Sequence, residues 1–161
     1  MKKRGISSSM YLIIDNNVVH LLISDNDEDG LAIRTWLRNT GRAVVGGLLL
    51  REYRRRSRDH AFIRYLNELS RSGRILVRND DEIDEETSRV SEELNLRSND
   101  YHIIALALVT GARALWSQDE DLIKDFKDRG IINKPRGVVY YPRGNARWRS
   151  AGLVAISRAC S

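Results

Sequence analysis

The chain has a single cysteine in 161 residues, Cys160, so it can form no internal disulfide. That excludes the cross-linked framework of small secreted domains and makes a reducing compartment, the cytoplasm, the expected home. Long hydrophobic runs are also missing. Nothing approaches the roughly 20 apolar residues that span a bilayer, and Tyr11–Ile14, behind the basic start MKKRGISSSM, is too short for the hydrophobic region of a signal peptide. There is no Gly-x-Ser-x-Gly elbow, no phosphate-cradling glycine-rich loop and no His-Glu-x-x-His pair. The three histidines, His20, His60 and His102, are scattered; His102, two residues past Asp100, is expected to point away from it and to be a core or surface histidine. The run Asp25–Gly30 has the offsets of half a calcium loop, but its twelfth position is Trp36 where a bidentate Glu is needed, so it is expected to be a solvated loop.

What is present fits one globular domain, with 42% hydrophobic residues, enough for a sizeable core. The net charge of +5 and the pI near 9.6 lean toward a polyanionic partner. Arginines cluster at Arg51, Arg54, Arg55, Arg56 and Arg58 and again at Arg136, Arg143, Arg147, Arg149 and Arg158.

Periodicity predicts strands at Met10–Ile14, Arg42–Val45, Arg74–Val77, Ala112–Ser117 and Gly137–Tyr141. Between them it predicts helices at Val18–Ile23, Leu31–Asn39, Leu48–Arg56, Arg58–Ser70, Asp80–Asn95, Tyr101–Val109 and Leu122–Lys127. The Tyr101–Val109 segment is apolar on every side, as in a helix buried all round, with Ser98, Asn99 and Asp100 at its start and Gly111 at its end. Strands separated by helices imply a mostly parallel sheet with helices on both faces, a three-layer α/β/α domain over residues 10–142. Residues 1–9 and 143–161 are expected to be an N-terminal and a basic C-terminal extension.

Acids recur where such a sheet binds ligands, past the carboxyl ends of strands. Asp15 closes the first strand, Asp119 and Asp121 follow Ala112–Ser117, Asp100 opens the buried helix, and Glu52 lies on a turn otherwise apolar or basic. Each has an ordinary alternative: Asp100 and Asp119 as helix caps, Glu52 as the i, i+4 partner of Arg56. Asp15 is harder to explain so, because an unpartnered carboxylate at a buried strand end is costly. Taken together they form an all-oxygen cluster, which suits Mg²⁺ or Mn²⁺ better than zinc. Asp15 is expected beside the strand that leads to Asp119.

At YLIIDNNVV, LLLREY, NDYHIIALALVTGA and LWSQDEDL the chain resembles the PIN-domain ribonucleases, which include the VapC-like toxins of toxin–antitoxin pairs. The resemblance implies that Asp15, Glu52, Asp100 and Asp119 are the catalytic, metal-holding quartet, with Asp121 as an accessory acid and Ser117 as a supporting hydroxyl. Asn16 stands where the family often has Thr, as a second supporting residue. Implied too are a Mg²⁺ or Mn²⁺ cofactor, in-line hydrolysis of an RNA substrate to 5′-phosphate and 3′-hydroxyl ends, a homodimer, and a small antitoxin partner. Arg54, Arg55, Arg58, Arg147 and Trp148 are candidates for RNA contacts. Two other classes compete: a non-catalytic RNA-binding or scaffolding PIN module, and a phosphoacceptor receiver domain, which expects a lysine where this chain has Tyr140, Tyr141, Pro142 and Arg143.

Overall fold

The computed structural model describes residues 11–78, 80–140 and 146–158, without the side chains of 146–148, 150, 151 and 158. The strands are β1 (Tyr11–Ile14), β2 (Arg42–Val45), β3 (Ile75–Val77), β4 (Ala114–Trp116) and β5 (Val138–Tyr140). They pair side by side, all parallel, in the order β3-β2-β1-β4-β5. The helices are α1 (Val19–Leu22), α2 (Glu28–Asn39), α3 (Gly47–Arg54), α4 (His60–Arg71), α5 (Asp80–Glu93), α6 (Tyr101–Thr110), α7 (Glu120–Lys127) and α8 (Ala146–Arg158).

A parallel sheet covered on both faces needs strands that are apolar on both sides, and the three central strands comply. Leu12, Ile13, Ile14, Ala43, Val44, Val45, Ala114, Leu115 and Trp116 are all buried. Right-handed crossovers put α2 and α4 on one face and α6 and α7 on the other. Helix α6 is buried all round as its composition requires, from His102 to Ala107 without a break, and Gly111 ends it at φ 77°, a left-handed conformation natural to glycine. The polar helix α5 is an outer one whose inner face is Ile83 and Val90, both fully buried.

Three expectations about elements need correction. The second half of the acidic run before Leu31 is helix rather than loop: Asp27 caps α2 by accepting the Gly30 N–H at 2.7 Å, and Glu28 and Asp29 sit in the first turn. Gly30 lets this turn press against α1, since a Cβ there would stand 1.9 Å from the Leu21 carbonyl oxygen. The segment after Asp15 opens as a 3-10 turn, Asn16–Val18, before the single turn of α1. The C-terminal region holds α8, which packs on β5 and α2; Trp36 Nε1 donates to Ser157 Oγ at 3.1 Å, and Arg149 Nε lies 2.8 Å from Asp29 Oδ1. Met10, Tyr141, the 1–9 extension and the side chains of Arg147 and Trp148 lie outside the described residues. No described helix is long and apolar enough to cross a membrane.

Candidate active site at the acidic rim

The strand order reverses direction between β1 and β4, and at such a switch point the carboxyl ends of the strands leave a crevice. Asp15 and Ser117 stand on its two sides. The Asp15 backbone N–H donates to Trp116 O at 3.0 Å, so this residue extends the β1–β4 ladder as its side chain leaves it. Its carboxylate is buried, 7% exposed, and Oδ2 accepts the Ser117 hydroxyl proton at 2.7 Å. The Ser117 oxygen in turn accepts from the Asp119 N–H at 3.1 Å and the Asn17 amide at 3.3 Å, which uses its one donor and both lone pairs. Ser117 therefore fixes Asp15, Asn17 and Asp119 to one point. The expected adjacency of Asp15 to the strand leading to Asp119 is what the fold has.

Asp119 does cap a helix: Oδ1 accepts from the Asp121 and Leu122 N–H groups at 3.0 and 3.1 Å. Its carboxylate also meets Asp100, which shares a side-chain hydrogen bond with it. Asp100 behaves differently. It occupies the N-cap position of α6 yet makes no side-chain cap bond, so the capping expectation fails at this residue. Its carboxyl pKa is pushed up to about 7 by burial first, then by the charge of Asp15, a hydrogen bond to Asp119, and the charges of Asp119 and Glu52.

Glu52, on α3, is raised by burial and then by Asp15, against the lowering charges of Arg55 and Arg56. Asp15 is raised chiefly by burial, opposed by the Ser117 hydrogen bond and by the Asn16 and Asn17 amides, with the charge of Asp119 adding to the rise. The charges of Asp15, Glu52 and Asp119, on elements that follow β1, β2 and β4, thus converge on Asp100 at the start of α6. Asp121 is exposed and is not among the causes of the shifts at Asp15, Glu52 and Asp100.

The Glu52–Arg56 pair does not form. Arg56 instead donates to Asn16, with Nε 2.6 Å from Oδ1 and Nη2 3.0 Å from the carbonyl oxygen, so Asn16 anchors the loop after Asp15 to the end of α3. His102 is a core histidine, one of the two places expected for it, and its Nε2 stands 3.5 Å from Glu52 Oε1 without forming a hydrogen bond. Arg54, Arg55 and Arg58 are exposed and make no ion pair among the described residues. A cavity of about 690 Å³ lies away from this rim, between α2 and α4, lined in part by Arg34, Arg38, Tyr65 and Arg74. Asp15, Glu52, Asp100 and Asp119 do not line it.

An oxygen-rich donor set fits a hard divalent cation, and Asp100, with no bond from the helix it opens, is the donor best placed to serve one. The acids are not closed around a point: among the described residues no group of three or more His, Cys, Asp or Glu stands in ligating array.

Two residues that the sequence did not single out hold the site. Asp125 is fully buried on α7 and accepts the backbone N–H groups of Arg97 (3.0 Å) and Ser98 (2.9 Å) and the Arg97 guanidinium (3.2 Å), tying down the loop that delivers Asp100. The signal was a charge on the buried stripe Leu122, Asp125, Phe126. Tyr53, fully sheltered on α3, donates its hydroxyl to the Ile14 carbonyl oxygen and fastens Glu52's helix beneath Asp15.

No curated protein matches the chain. The family model described as "PIN domain" matches residues 12–128, from β1 through α7, and so takes in every acid discussed above. PIN domains are generally nucleases that act on phosphodiester bonds, and they generally use divalent metal ions. Matched over most of its length, this chain belongs to the PIN-domain family.

Proposed function

We propose that the protein is a Mg²⁺- or Mn²⁺-dependent endoribonuclease whose catalytic residues are Asp15, Glu52, Asp100 and Asp119. The observation that carries this is Asp100: a carboxylate at a helix N-terminus that does not cap it, pushed up to about 7 within a group of acids. Such a group is destabilising without a cation, and perturbed acids at a strand-end crevice are the mark of a working site. Asp15, Glu52, Asp100 and Asp119 would hold the ion, with Asp121 as an accessory donor at the edge. The chemistry such an ion supplies is charge neutralisation at a phosphodiester and a more acidic attacking water. Ser117 keeps Asp15 and Asp119 at one spacing, Asn16 and Arg56 keep the Asp15 loop on α3, and the exposed Arg54, Arg55 and Arg58 take phosphates of the strand.

A second reading, a non-catalytic RNA-binding or scaffolding module, is favoured by the absence of a ligating array among the described residues. Incubation of labelled RNA with Mn²⁺ separates the two. Cleavage leaving 5′-phosphate and 3′-hydroxyl ends, abolished in Asp15→Asn and absent in EDTA, supports the enzyme; RNA binding without cleavage under any divalent cation supports the module. A homodimer and a small antitoxin partner, with the toxin role and cytoplasmic site they entail, are proposed from family likeness alone. Sedimentation and co-purification from the native host test them.

A further inference from the structure

Helix α6 is apolar from Ile103 to Val109, and in that setting His102 is out of place. Its side chain is 7% exposed, and Nε2 is a buried polar atom with no hydrogen-bond partner among the described residues. An unsatisfied buried nitrogen is destabilising, and a leucine would fill the same space without that penalty. The nitrogen is not aimed at hydrocarbon, however. It faces Glu52 Oε1 at 3.5 Å, the only close polar contact that Glu52 makes among the described residues. Arg51, the neighbouring cation, is committed elsewhere, to Asp84 through both Nη1 (3.1 Å) and Nη2 (2.9 Å).

Resting on the reading of Glu52 as a metal-holding acid, we propose that His102 is a positioning residue for it. The ring carries a proton on Nε2, donates it to Oε1, and so leaves the other carboxylate oxygen to face the acidic rim. The tautomer follows from the contact. A neutral imidazole has one donor and one acceptor nitrogen, and the opposite tautomer would bury a lone pair against a carboxylate oxygen. A small turn of the Glu52 carboxylate brings the 3.5 Å contact to hydrogen-bond length, about 2.9 Å. Partners that orient a metal-holding side chain are typically worth about 10–100-fold in metal affinity or activity.

The test has two parts. Mn²⁺ affinity is measured by calorimetric titration for the parent, His102→Leu and His102→Gln; glutamine places an amide N–H where Nε2–H stands. Weakening of about 10–100-fold in His102→Leu, with His102→Gln within about threefold of the parent, is expected. Equal affinity in all three, or equal loss in both variants, overturns the proposal while leaving the metal site standing. A parent that binds no Mn²⁺ instead overturns the reading of the acids on which the proposal rests. Independently of metal, a long-range ¹H–¹⁵N spectrum of the parent reads the tautomer: Nε2–H is expected, and Nδ1–H contradicts the proposed hydrogen bond even if neither variant folds.

Discussion

Replacing Asp100 by Asn removes one charge from the acid group and little else, because Asn fits an N-cap position as well as Asp does. In the folded chain the Asp100 carboxyl titrates at about 7 against an ordinary 3.8. Because the folded pKa is raised, the folded state holds the Asp100 proton more tightly, and stability falls as pH rises from about 4 to about 7. At about 1.4 kcal/mol per tenfold preference the full effect would be about 4 kcal/mol. The carboxylate is only about half shielded from water, and its proton is shared with Asp119, so about 1–2 kcal/mol is expected. His102 works in the opposite direction: its folded pKa is lowered to about 4 from 6.5, so it adds stability as pH rises between those values. The informative quantity is therefore the difference between parent and variant. In EDTA, Asp100→Asn should gain on the parent by about 1–2 kcal/mol between pH 5 and pH 8, or roughly 2–8 °C in Tm. A difference that does not change with pH, or a variant less stable than the parent at pH 8, would refute the claim that the acids crowd Asp100.

Asp125→Ala leaves the Arg97 and Ser98 N–H groups without their acceptor, so urea unfolding should show a loss of about 2–4 kcal/mol, and the two amides should lose hydrogen-exchange protection. Changing Arg54 and Arg55 to Ala should flatten the slope of log RNA affinity against log salt by about 0.7–1.4, one phosphate contact per arginine. An unchanged slope would move the RNA contacts elsewhere.

Much of the architecture was legible because the strands are apolar on both faces and the turns between them are marked by Gly46, Gly47, Gly73 and Gly111. The pairing of β1 with β4 followed from the recurrence of acids at strand ends. Helix α8 was hidden by its own charge: Arg147, Arg149 and Arg158 read as a basic extension, while the anchors that fold it back, Asp29 for Arg149 and Trp36 for Ser157, come from α2, more than a hundred residues away. The start of α2 was missed because Asp25–Gly30 matches half a calcium loop, whereas Asp27 is a local cap. Among the site residues, position in the chain singled out Asp15, Glu52, Asp100 and Asp119, and the fold joins Asp15 to Asp119 through Ser117. Position could not say that Asp100 leaves its helix uncapped while Asp119 caps, nor that Arg56 prefers Asn16 to Glu52, since these choices depend on how α3 and α6 meet the end of β1.

The most direct measurement is anomalous scattering from crystals grown or soaked with Mn²⁺. The account predicts a peak at the β1–β4 switch point with carboxylate oxygens of Asp15 and Asp100, and of Glu52 or Asp119, about 2.0–2.3 Å away. It would be contradicted by no peak at millimolar Mn²⁺, or by one seated only at surface acids such as Asp80 and Asp84.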